Sequence, residues 1–126
     1  MPNSRVADYL SAADLMVLPT ENEGTPTVLV EAGAVHLPVV ANAVGGIPDL
    51  LGDDRGVLAE PHNMASLVGA VQATLADSKA SALRAERLAA YVARYYDCRK
   101  NGRELKQLYV QVAAGTALSE ASAPWA

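Results

Sequence analysis

Glu23 and Glu31 are the residues whose type and spacing point to chemistry. Glu23 sits in the turn ENEGTP; Glu31, with seven residues between them, interrupts the apolar run TVLVEAGAV. From Val6 to Asp54 the chain carries eight acids and no lysine or arginine, so no neighbouring cation explains either carboxylate. At helical spacing Val28, Leu29, Val30, Ala32, Ala34 and Val35 leave hardly any polar face, and a helix over 26–35 is expected to be largely buried. An ionised Glu31 inside it needs donors, because an unpaired buried carboxylate is costly. Ligand hydroxyls would supply them; so would backbone N–H groups or a distant arginine.

The start of that helix adds an anion-binding feature. Thr25-Pro26 reads as an N-cap followed by proline at the first helical position, where a missing N–H costs nothing. The N–H groups of Thr27, Val28 and Leu29 then lack helical partners and form the positive end of the macrodipole, a site suited to phosphate. VGGIPD repeats the arrangement after the next apolar run, with Gly45 and Gly46 permitting positive φ and close approach of a ligand to the backbone. The alternative for that glycine pair is a purely structural turn. Hydroxyls held by carboxylates and phosphates held by amides together describe a nucleotide sugar.

These residues need strands and helices to position them. LMVLP, PVVAN and GVLA are short apolar runs stopped by turn residues, and they read as strands, the first buried on both sides as in a parallel sheet. Helices are predicted from Ser4 (N-cap, with Val6, Tyr9 and Leu10 on one face), over 26–35, and from Pro48. Others follow over MASLVGAVQATLAD (Leu67, Val68, Val71 and Leu75 at helical spacing), over 81–96 and over 100–113, the last with a Leu105, Leu108, Tyr109, Val112 stripe. Strands alternating with helices give an α/β layered fold. Residues 1–114 are expected to form one partial domain and 115–126 a disordered tail.

Composition narrows the function. A chain of 126 residues that is 51% hydrophobic and 19% charged has material for a packed core. No run is long enough to span a bilayer and no leader is evident, which predicts a cytoplasmic protein. One cysteine, Cys98, excludes an internal disulfide, and two scattered histidines give no metal cluster. A net charge of −4 argues against nucleic acid. The eight bases from Lys79 to Lys106 read as solvated helix faces; the sharper alternative is a docking surface for another domain, an anionic acceptor or a membrane.

The stretch YLSAADLMVLPTENEGTPTVLVEAGAVHLPVVANAVGGIPDLLGDDRGVLAEP resembles the signature region of family 4 retaining glycosyltransferases, which have the two-domain GT-B architecture. The resemblance runs over about residues 3–113 and implies a partial Rossmann-like parallel sheet of about three strands, the later half of a GT-B C-terminal domain. It implies that Glu23 faces the transferred sugar as the catalytic-site acid, and that Glu31 accepts hydrogen bonds from the ribose. Gly24, Thr25, Pro26 and Thr27, with Val28 just inside the helix, match the turn near sugar and diphosphate, and Gly45 and Gly46 line the same cleft. The implied chemistry is retaining glycosyl transfer from a nucleotide-diphosphate sugar, without cofactor or metal ion.

The departures are also informative. His36 stands where the family has glycine at the helix end, at a cost of about 1 kcal/mol for the left-handed conformation. Asp49 replaces the usual glutamate, and His62 reads as an exposed loop residue. The amino-terminal domain and the basic residues that serve the diphosphate are not in this chain. A fragment inactive alone is therefore expected, with an oily edge at Leu15–Leu18 open to a missing domain or to self-association. The competing readings are a non-catalytic interaction module and, more remotely, a sugar-nucleotide epimerase.

Overall fold

The computed structural model describes residues 5–115. The chain divides after Arg94 into two compact units. The first holds α1 (Val6–Ser11), β1 (Met16–Leu18), α2 (Thr27–Ala34), β2 (Val39–Asn42), α3 (Ile47–Leu51), β3 (Val57–Ala59), α4 (Met64–Ala76) and α5 (Ser78–Tyr95), whose last residue crosses the division. The second holds α6 (Cys98–Ala113). Ser4 and residues 116–126, expected as a cap and a tail, lie outside the described residues.

The three strands form one parallel sheet in the order β1-β2-β3, in the register Met16–Val39, Leu18–Ala41, Val40–Val57 and Asn42–Ala59. Every residue of β2 is buried, as a strand covered on both faces requires. Side-chain alternation divides it between two layers. Val39 and Ala41 face a core built from Leu10 of α1, Leu29 and Ala32 of α2, Ile47, Leu50 and Leu51 of α3, and Leu88 and Val92 of α5. Val40 and Asn42 face the other way, where α4 packs on β2 and β3. Both crossovers thus pass over one face, as right-handed connections stepping in one direction do.

Two expectations about burial are corrected. β1 is an edge strand and only half-buried, because no strand pairs with its outer side among the described residues. In α4 the sheet-facing line is Leu67, Ala70, Val71 and Thr74, while Val68 and Leu75 point to solvent. Small side chains let the helix approach the sheet, so packing here overrides hydropathy; Thr74 is accommodated by donating its hydroxyl to the Ala70 carbonyl at 2.7 Å. Close helix packing recurs at Gly33, where an added Cβ would lie 2.8 Å from Val92 Cγ2 and 2.9 Å from Leu88 Cγ.

Arginines brace the far end of the first unit. Arg55 donates to the carbonyls of Asp49 (2.6 Å) and Leu50 (2.8 Å), capping α3, and its guanidinium stacks 4.0 Å from the Tyr91 ring centroid. Arg84 and Arg87 of α5 both pair with Asp54. The hydrogen bond from Arg84, assisted by the charges of both arginines against a smaller desolvation effect, holds the Asp54 carboxyl below its ordinary value. Part of the basic segment is therefore structural. His36 takes the expected left-handed conformation (φ 58°), and its Nδ1 lies 3.1 Å from Glu86 Oε1. In the second unit, Asp97 caps α6 by accepting from the N–H groups of Arg99 and Lys100. No helix among the described residues is long and apolar enough to cross a membrane.

Candidate functional site

The strands end together at Leu18, Asn42 and Ala59, so the segments 19–26, 43–46 and 60–63 emerge at one edge of the sheet. In an open parallel α/β sheet this carboxyl edge is where ligands bind. The first two segments are docked to each other backbone to backbone. Gly46 N–H donates to the Gly24 carbonyl at 2.9 Å. Gly45 has φ +54°, and a Cβ there would fall 1.6 Å from the Glu23 carbonyl oxygen. One on Gly46 would sit 2.9 Å from both Gly24 O and Thr25 Oγ1. Only hydrogen fits at either position, as the purely structural turn requires. Gly24, by contrast, has open space beside it.

The start of α2 differs from the sequence expectation by one residue. Pro26 is the N-cap (φ −72°, ψ 120°), and Thr25 makes no capping bond; its hydroxyl packs against Gly46 instead. Leu29 N–H donates to the Pro26 carbonyl at 3.1 Å, so it is not free. The N–H groups of Thr27 and Val28 have no partner among the described residues and remain as the positive helix end.

Glu31 is not buried. The helix hides Leu29, Ala32 and Gly33, while Thr27, Glu31 and Ala34 form its exposed line. An apolar sequence masks this solvent face because Ala34 and the half-buried Val28 and Val30 are not fully covered. The Glu31 carboxylate makes no hydrogen bond or ion pair with the described residues, so neither backbone groups nor an arginine hold it. It sits one turn after Thr27 on the same line, and helical side chains lean toward the amino end, here toward the free N–H groups. Glu23 is half-buried and also without a side-chain partner among the described residues. Among the described residues, then, Glu23 in the turn, the Thr27 and Val28 amides at the start of α2 and Glu31 one turn further along have no partner.

A residue that sequence reasoning passed over completes the edge. Asn42, taken only as the end of an apolar strand, is 6% exposed and donates through Nδ2 to the Thr20 carbonyl at 3.0 Å. Its Oδ1 is buried with no partner, an arrangement that costs about 1–3 kcal/mol. The polar residue closing VVAN was the available signal. The third segment approaches through His62, whose Nδ1 lies 3.4 Å from Glu21 Oε1, both side chains being exposed as His62 was expected to be. Asp49 is exposed, and its carbonyl rather than its carboxylate is engaged. Arg55, the first base after the edge, is committed to capping α3.

Comparison with known proteins matches residues 1–104 to the family model described as glycosyl transferases group 1. A teichuronic acid biosynthesis glycosyltransferase of Bacillus subtilis is 45% identical over 71 residues, which are 56% of this chain and 18% of that protein. Sucrose-phosphate synthase from Thermosynechococcus elongatus superposes with TM-score 0.84 at 29% identity, over 92% of this chain and 29% of the synthase. Anabaena HepE, solved with UDP-glucose, superposes with TM-score 0.78 at 22% identity, over 84% of this chain and 30% of its own. The chain spans under a third of each of these proteins.

Proposed function

The chain belongs to the glycosyl transferases group 1 family, and on that footing we propose that its carboxyl edge binds the donor nucleotide sugar for retaining glycosyl transfer. The three parallel strands with flanking helices are the GT-B fold over the matched region. In this reading the Thr27 and Val28 N–H groups and the backbone of Gly24, Thr25, Pro26, Gly45 and Gly46 take the diphosphate. Glu31 accepts from the ribose hydroxyls, and Glu23 faces the sugar. The observation that carries the reading is the start of α2, where the Thr27 and Val28 N–H groups have no partner among the described residues and two glycine turns are docked together at the carboxyl edge. HepE, which shares the fold, is solved with UDP-glucose.

Backbone amides alone neutralise a diphosphate poorly, and eight acids with no base lie between Val6 and Asp54. Cations and the acceptor site belong, in this proposal, to an amino-terminal domain, and the chain alone turns over no donor. No metal ion or other cofactor takes part. The basic α6 is the surface available for peripheral membrane contact. Titration with a panel of nucleoside-diphosphate sugars tests the proposal. Saturable binding by one donor, lost in Glu31→Ala, is the expected result; identical binding by parent and variant overturns the role of Glu31.

The outer side of β1, unpaired among the described residues, favours a second reading, a non-catalytic module that pairs with another chain. A stable hetero-complex together with indifference to every donor is the outcome that selects it.

A further inference from the structure

We infer that Asn42 is a positioning residue: through the bond from its Nδ2 to the Thr20 carbonyl, it sets where the turn carrying Glu23 leaves the sheet. The inference rests on the donor-site reading of that turn for its functional consequence, but not for its structural one.

The turn has little to hold it from within. Between Pro19 and Pro26 its internal side-chain bond is Thr20 Oγ1 to the Asn22 carbonyl at 3.3 Å, and Glu23 has no side-chain partner. Its fixed points are external. Gly46 N–H grips Gly24 at the far end, and Asn42 grips Thr20 at the near end. The His62–Glu21 contact in the middle joins two side chains at least 70% exposed, and such pairs restrain little. Both firm attachments therefore come from one short segment, Asn42–Gly46, that continues the fully buried strand β2. The rigid centre of the sheet dictates the position of Glu23.

The chemistry of position 42 supports this assignment. An apolar side chain would extend the VVA run and leave no orphaned acceptor. Asparagine leaves Oδ1 bare and gains a single bond, to Thr20. The orientation is forced, since a flipped amide would set its oxygen against the Thr20 carbonyl.

The test uses the full chain as Asn42→Asp and Asn42→Ala, read by backbone amide NMR and by titration with UDP-glucose. Burial raises the pKa of an introduced aspartate, so the variant is read at a higher pH, where that side chain is ionised, and at a lower pH, where it is protonated. Ionised, it repels the Thr20 carbonyl; protonated, it donates as the amide does. The parent is measured at both pH values as the reference. At the higher pH, Asn42→Asp is expected to displace the Thr20–Gly24 amide signals, leave those of β3 in place, and weaken UDP-glucose about tenfold or more. The lower pH restores both. Asn42→Ala adds no charge and removes the buried Oδ1, while the Thr20 carbonyl loses its donor; it is expected to show the same displacement at both pH values with a cooperative melt retained. Turn signals and affinity unchanged in Asn42→Ala overturn the inference, as does a loss in Asn42→Asp that acid does not reverse. If the parent ignores UDP-glucose, the affinity comparison falls away and the turn signals alone decide the role of Asn42.

Discussion

Gly45→Ala attacks the contact that locks the two turns. The new Cβ would stand 1.6 Å from the Glu23 carbonyl oxygen and 2.8 Å from its carbon, so backbone must move against backbone. No side chain can rotate to relieve the overlap. Holding alanine at φ +54° adds roughly 1–2 kcal/mol. Separation of the turns breaks the Gly46–Gly24 hydrogen bond, roughly 0.5–1.5 kcal/mol, and residual overpacking adds about 1 kcal/mol. The total is about 3 kcal/mol, which for a domain near 100 residues lowers the melting temperature by roughly 10–20 °C. The assay is a thermal melt at neutral pH beside Gly69→Ala, where nothing lies within 4 Å of the added Cβ in the middle of α4. That control is expected to gain about 0.5–1 kcal/mol from helix propensity. Gly45→Ala melting together with the parent, with the Gly46 amide still protected from exchange, would refute the locked-turn geometry.

Gly33→Ala forces α2 away from Leu88 and Val92, and chemical denaturation should show a loss of roughly 1–3 kcal/mol. Glu31→Ala removes an exposed side chain with no partner, so stability should change by less than about 0.5 kcal/mol even as donor binding is lost. Asp54→Asn keeps a residue at ease in the left-handed conformation but removes the anion between Arg84 and Arg87. Because the folded pKa of Asp54 is depressed, its contribution is complete above the unfolded value of 3.8 and is lost as pH falls through the folded value. The variant should therefore be less stable than the parent at neutral pH, with the gap closing in acid melts. The unpaired edge of β1 predicts self-association that rises with concentration; a monomer at every concentration by sedimentation equilibrium would count against an open edge.

The strands were legible because each is an unbroken apolar run closed by proline, glycine or asparagine, and their parallel order followed from the intervening helices. What escaped sequence reading depends on distance or on volume. Glu31 was expected to be buried because hydropathy treats Ala34 and Val30 as core, whereas the helix rests on Leu29, Ala32 and Gly33. Thr74 and Ala70 face the sheet ahead of Leu75 because a small side chain permits closer approach, which no periodicity encodes. Asn42 answers to a carbonyl 22 residues earlier in the chain, and Asp54 to arginines 30 and 33 residues later. The carboxylate pair and the glycine turns were visible as a pattern; the structure adds that the turns are docked and that the carboxylates have no partner among the described residues.

The most direct test is an amide NMR titration of the chain with UDP-glucose. Saturable shifts confined to Glu23–Glu31 and Gly45–Gly46 are the predicted result. Saturable shifts elsewhere in the chain, with those two segments unmoved, would contradict a donor site at the carboxyl edge of this sheet.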